Sequence, residues 1–127
     1  ARAAYEAALA YAQEREAFKK PIMEHQAVAF RLADMATQIE AARQLYLHAA
    51  QVHESGVPSL KEASMAKLFA SEMAEKVASD ALQTFGGYGY LEDFPVAKIL
   101  RDVRVYRIYE GTNDIQKMLI ARALTSD

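Results

Sequence analysis

Near the C-terminal end of the chain a single carboxylate, Glu110, follows the run Tyr106-Arg107-Ile108-Tyr109 and stands directly before Gly111-Thr112-Asn113-Asp114. A carboxylate where the chain turns, beside apolar side chains that disfavour its ionisation, is suited to act as a general base on a weakly acidic carbon proton. Gly111 lets the backbone come close to a ligand, and the free N–H groups that open a helix can hold an anion such as a pyrophosphate. One short segment could therefore supply both a base and a phosphate cradle. The competing reading is structural: an acid in the first turn of a helix capped by Thr112 or Asn113.

The elements that must position such a turn are helical throughout. Residues 1 to about 17 carry Tyr5, Leu9 and Ala12 on one face and Glu6, Gln13 and Glu16 elsewhere, which predicts an amphipathic helix that Lys19-Lys20-Pro21 ends. From Glu24 to Ser55 a seam at Val28, Leu32, Met35, Ile39, Ala42, Tyr46, Ala49 and His53 alternates four and three, as in long antiparallel bundles, and Gly56 and Pro58 stop it. Ser59-Leu60-Lys61-Glu62 reads as a capping box, opening a helix whose small-residue face (Ala66, Ala70, Met73, Val77, Ala81) runs to Gly86-Gly87. A glycine and aromatic loop, 86–95, precedes a shorter helix over Val96–Val103. A last helix over Asn113–Leu124 turns Ile115, Leu119 and Ala123 inward. No useful strand alternation and no repeat is visible. The fold class is all-α, an up-and-down helical bundle with three long and two shorter helices.

Composition narrows the chemistry. A chain of 127 residues can bury one core. With no cysteine it can hold neither a disulfide framework nor a cysteine metal site, and no metal ligand set is expected. A net charge of −2 argues against a nucleic-acid surface. No apolar run approaches the ~20 residues of a membrane span, and no signal peptide is visible. The opening Ala1-Arg2-Ala3-Ala4-Tyr5, helical in composition with no initiator Met or cap, is what a fragment cut inside a helix would show.

Tyr109-Glu110-Gly111-Thr112-Asn113-Asp114-Ile115-Gln116 resembles the C-terminal signature of acyl-CoA dehydrogenases, in which this Glu is the catalytic base. Two further segments resemble that family in the same order. Tyr11-Ala12-Gln13-Glu14-Arg15-Glu16-Ala17-Phe18, then Pro21-Ile22 and His25-Gln26-Ala27-Val28, is similar to the segment that reaches the FAD of a neighbouring subunit; Gln83-Thr84-Phe85-Gly86-Gly87-Tyr88-Gly89 is similar to its glycine loop. The three span nearly the whole chain. The resemblance identifies residues 1–127 as the family's C-terminal helical domain, apart from its N-terminal helical and middle β-domains.

The resemblance implies the following roles. Arg15 lies at the FAD pyrophosphate, consistent with bidentate guanidinium–phosphate pairing, although a last-turn Arg also suits a helix dipole. Phe18, His25 and Gln26 line the same cofactor. Gln83, Gly86 and Gly87 contact its adenosine-diphosphate part, while the same glycines also suit a helix stop; the loop lacks the Gly-Lys-Ser/Thr ending of a Walker motif. Thr112, Asn113 and Asp114 continue into the FAD site of their own subunit. Tyr109, Gly111 and Arg122 match substrate-contact positions. His48 and His53 have no matching role and read as structural. Lys98, Arg101, Arg104 and Arg107 read as a solvated or salt-bridged face with Asp102, with docking of CoA phosphates as the alternative. Two positions depart from the family: Ala17 stands where a hydroxyl residue is frequent, and Lys19 where glycine is usual.

The implied activity is FAD-dependent dehydrogenation of an acyl-CoA to a trans-2-enoyl-CoA, with electrons passed to an electron-transfer flavoprotein, in a homotetramer or homodimer of the bacterial cytoplasm or mitochondrial matrix. An acyl-CoA oxidase would carry the same residues and react rapidly with oxygen. A non-catalytic helical oligomerisation module is the alternative of another class, and requires a stable oligomer without flavin affinity.

Overall fold

The computed structural model describes residues 1–125; Ser126 and Asp127, the last two of the expected 1–127 domain, lie outside the described residues. The expected all-α, up-and-down bundle is the fold observed. Its helices are α1 (Arg2–Glu14), α2 (Gln26–Glu54), α3 (Leu60–Phe85), α4 (Pro95–Arg104) and α5 (Asn113–Leu124), with 3-10 turns at Ile22–Glu24, Gly86–Tyr90 and Val105–Arg107.

Helix α3 is the axis, packed against each of the other four. Its face carries Ala66, Met73, Ala74, Val77, Ala78 and Ala81, small enough for close approach. Onto it α1 lays a stripe of wholly buried alanines, Ala4, Ala8 and Ala12, at the i, i+4, i+8 spacing of one helix face. Leu32 and Met35 of α2 and Val96 and Val103 of α4 complete the core. Tyr11 stacks on Phe85 with ring centroids 4.2 Å apart, and Phe94 packs against Phe85 at 5.5 Å, which closes the end of the bundle from which the glycine loop leaves.

The structure corrects several local expectations. Helix α1 stops at Glu14 rather than near residue 17, because Arg15 turns extended (ψ 125°) and the chain enters a hairpin. Its strands, β1 (Glu16–Ala17) and β2 (Lys20–Pro21), pair antiparallel, Glu16 opposite Pro21 and Ala17 opposite Lys20. Strand pairing and the Ile22 N–H bond to the Arg15 carbonyl replace the helical bonds that local propensity favours. Tyr46 and His53 are exposed rather than in the α2 seam. The capping box does not form: the Ser59 side chain makes no cap bond, and its Oγ lies 3.2 Å from His53 Nδ1, tying the α2–α3 connection instead. In α5 the deeply buried residues are the polar Asn113 and Gln116, while Ile115 is exposed and Leu119 and Ala123 are half-buried.

Candidate functional site

The Glu110 turn is built by the break between α4 and α5. After the 3-10 turn Val105–Arg107, Arg107 anchors the chain to α3: its Nη1 donates to Glu75 Oε2 at 2.8 Å, and Arg104 Nε lies 3.4 Å from Glu75 Oε1. That hydrogen bond to the Glu75 carboxylate raises the Arg107 pKa, holding the guanidinium more firmly charged. The rings of Tyr106 and Tyr109 stack at 5.5 Å.

Glu110 (φ 53°) and Gly111 (φ 80°) then take left-handed conformations in succession. The positive φ favours glycine at 111, and a Cβ there would also meet the Gln116 Nε2 amide at 2.9 Å and push it from its place on the turn. Side chains hold the turn. Gln116 Nε2 donates to the Gly111 carbonyl at 3.2 Å and to the Glu110 carbonyl at 3.4 Å. Lys67 Nζ, from α3, donates to the Gly111 carbonyl at 2.9 Å and to Asn113 Oδ1 at 2.8 Å. Ser71 Oγ lies 3.0 Å from the same Oδ1, and Asn113 Nδ2 donates to Glu72 Oε1 at 3.4 Å. Thr112 caps α5, its side chain accepting from the Ile115 N–H.

The backbone of the turn is thus clamped while the Glu110 side chain is exposed and, among the described residues, makes no hydrogen bond or ion pair. Its carboxylate is available as a proton acceptor. The expected apolar surroundings are not formed within the chain, since Ile108 and Tyr109 are themselves 55% and 47% exposed. Tyr109, Asp114 and Arg122 are exposed around or beyond the turn, with Lys117 Nζ 3.9 Å from Asp114 Oδ1. The Asn113 side chain faces α3.

A second locus lies at the other end of α3. Arg15, Tyr11, Ile22, Gly86, Gly87 and Tyr88 line an open surface cavity of about 500 Å³, with the Arg15 guanidinium 5.6 Å from the centre of the Tyr88 ring. The glycines of the loop have different reasons. Gly86 closes α3 in the left-handed region (φ 61°), and a Cβ at Gly89 would lie 2.6 Å from the Leu82 carbonyl oxygen. Gly87 has neither constraint: its φ is ordinary and nothing lies within 4 Å of where its Cβ would be. A bare backbone beside a cation and aromatic walls suits a phosphate-bearing ligand with a ring system, so the donor set fits a dinucleotide such as FAD.

The hairpin tip stands beside this locus. Phe18 is 91% exposed, edge-on to the His25 ring at 5.8 Å, and His25 Nε2 donates to the Ala17 carbonyl at 3.0 Å. Gln26, the first residue of α2, and Gln83 are exposed. The predicted residues therefore fall into two groups, Glu110 to Asp114 against the first half of α3 and Arg15 with the glycine loop at its C-terminal end.

Sequence reasoning missed Lys67, Ser71, Glu72 and the role of Gln116. The signal was present: Ser64, Lys67 and Ser71 interrupt the small apolar face of α3 at helical spacing, and polar groups there need partners. The basic series is largely paired: Lys98 with Asp102, Arg104 and Arg107 with Glu75. A groove beside it mixes Lys98, Arg101 and Arg104 with Glu75, Glu92 and Asp102, so it offers an anion no single-signed surface. Among the described residues no cluster of His, Cys, Asp and Glu could hold a metal ion, and no helix is long and apolar enough to cross a membrane.

The family model described as acyl-CoA dehydrogenase, C-terminal domain, matches residues 1–125. The chain belongs to the acyl-CoA dehydrogenase family. It is 54% identical over 124 residues to an acyl-CoA dehydrogenase of Bacillus subtilis, covering 98% of this chain and 33% of that protein. Butyryl-CoA dehydrogenase from Megasphaera elsdenii superposes with a TM-score of 0.96 at 45% identity, covering 98% of this chain and 32% of that one. A chain in the solved structure described as the electron transferring flavoprotein of Acidaminococcus fermentans does so with a TM-score of 0.97 at 47% identity, covering 99% and 33%. This acyl-CoA dehydrogenase domain thus spans about a third of the length of these relatives.

Proposed function

We propose that this domain supplies the catalytic base and part of the FAD site of an enzyme that oxidises an acyl-CoA thioester to its trans-2-enoyl-CoA. The observation that carries the reading is the Glu110 turn: a clamped backbone presenting an unpartnered carboxylate. Glu110 accepts the proton from the carbon next to the thioester carbonyl. Its own backbone N–H donates to that carbonyl, stabilising the negative charge that develops there. FAD, when bound, supplies an acceptor at N5 for the hydride leaving the neighbouring carbon. Tyr109, Gly111 and Arg122 meet the substrate.

Arg15, Phe18, His25, Gln26, Gln83, Gly86 and Gly87 hold the FAD of a neighbouring subunit, and Thr112, Asn113 and Asp114 that of their own. Asn113 does so through its backbone, its side chain being engaged by α3. The separation of the two loci along one helix supports this division and calls for a homodimer or homotetramer. Reoxidation falls to an electron-transfer flavoprotein, in keeping with the similarity to the Acidaminococcus chain, and the bacterial relatives favour the bacterial cytoplasm over the mitochondrial matrix.

The test is Glu110→Gln in the full-length enzyme. Loss of a positioned general base lowers turnover about 10²- to 10⁴-fold, with the flavin absorbance of the purified protein unchanged. Turnover retained within a few-fold would remove Glu110 from the chemistry.

A further inference from the structure

We infer that Lys67 is a positioning residue for the Glu110 base, acting through the Gly111 carbonyl and the Asn113 side chain; this rests on the proposed role of Glu110. The successive left-handed residues Glu110 and Gly111 belong to neither helix, so no helical ladder fixes their carbonyls. Two side chains do. Gln116 comes from the helix that the turn itself opens, at 3.2 and 3.4 Å, and moves with it. Lys67 comes from α3, the axis of the bundle, and makes the shorter contact, 2.9 Å to the Gly111 carbonyl.

Its ammonium spends two of its three donors on neutral oxygens of the turn and of α5, and among the described residues it has no carboxylate within ion-pair distance. A lysine serving only solubility or pairing would not be placed so. The Asn113 oxygen has a second neighbour in Ser71, which touches nothing in the turn itself, so α5 stays docked without Lys67. What only Lys67 does is refer the Gly111 peptide, and through it the direction of the Glu110 carboxylate, to the rigid core. Displacing a reacting group by about 1 Å can cost on the order of 10²-fold in rate.

The experiment uses the full-length flavoenzyme with butyryl-CoA as substrate and compares Lys67→Met, Lys67→Arg, Lys76→Met and Glu110→Gln. Lys76 is a control lysine on the same helix, paired with Asp80 at the surface. Expected for Lys67→Met are full flavin content, kcat down about 10- to 100-fold with KM within about three-fold, and faster amide exchange confined to the 108–116 segment. Lys67→Arg, which keeps a charged donor, recovers part of kcat, and Lys76→Met changes neither readout.

Unchanged exchange at 108–116 in Lys67→Met, or exchange that rises uniformly together with loss of flavin, overturns the proposal. If Lys67→Met does not fold, Lys67→Gln, which retains one donor, is judged on the same exchange criterion. Turnover surviving in Glu110→Gln sinks the base assignment instead, and the exchange data still decide whether Lys67 holds the turn.

Discussion

Phe18 and Lys19 sit at the hairpin tip with φ of 55° and 66°, the left-handed pair that a two-residue hairpin turn demands. Neither residue is suited to it. Left-handed backbone costs a side-chain-bearing residue about 1–2 kcal/mol, and glycine returns part of that gain as lost unfolded-state entropy. Lys19→Gly is therefore expected to stabilise the protein by about 0.5–1 kcal/mol, seen as a higher denaturation midpoint with unchanged slope. The departure at position 19 was legible in the sequence; that the turn nevertheless keeps its left-handed form was not. Glu110 was legible in the same way, through its neighbours in the chain. The donor from the bundle core that holds it is Lys67, whose relation to the turn exists only after α3 and α5 pack.

At the scale of elements, glycine and proline punctuation and the four-three spacing of apolar residues located all five helices. Their ends were legible where a local cause sets them, as at Gly86, and misread where a tertiary one does. Glu16 and Ala17 favour a helix, yet strand pairing and the His25 ring bond to the Ala17 carbonyl draw them into the hairpin. The alanine stripe of α1 makes a sharper expectation. Ala8 is wholly buried against the bundle, so Ala8→Leu overfills a packed interface and should destabilise the full-length protein by about 1–3 kcal/mol in thermal or denaturant unfolding. An exposed neighbour, Ala10→Leu, should stay within about 0.5 kcal/mol.

For the whole molecule, α3 is both spine and spacer. Near its start Lys67 grips the turn that bears Glu110, while Ser71 and Glu72 hold the Asn113 side chain that opens α5; at its end Gly86 and Gly87 open the loop beside Arg15. Lys67 and Gly86 stand about 28 Å apart along the axis at 1.5 Å per residue. The bundle was legible as a list of helices, and the length of α3 with it; which elements its two ends hold appears only once α5 and the glycine loop pack against it. Holding both makes the helix a counted length. Adding a single alanine after Lys76 would turn everything beyond it by about 100° and push it out by about 1.5 Å, leaving every contacting side chain intact but misdirected. Such an insertion should strip the flavin from the purified enzyme, read from its visible absorbance, while exchanging exposed Lys76 or Ser79 for another polar residue leaves it yellow. Over generations this stretch can change its letters at outer positions such as Lys76 and Ser79, but it cannot gain or lose one.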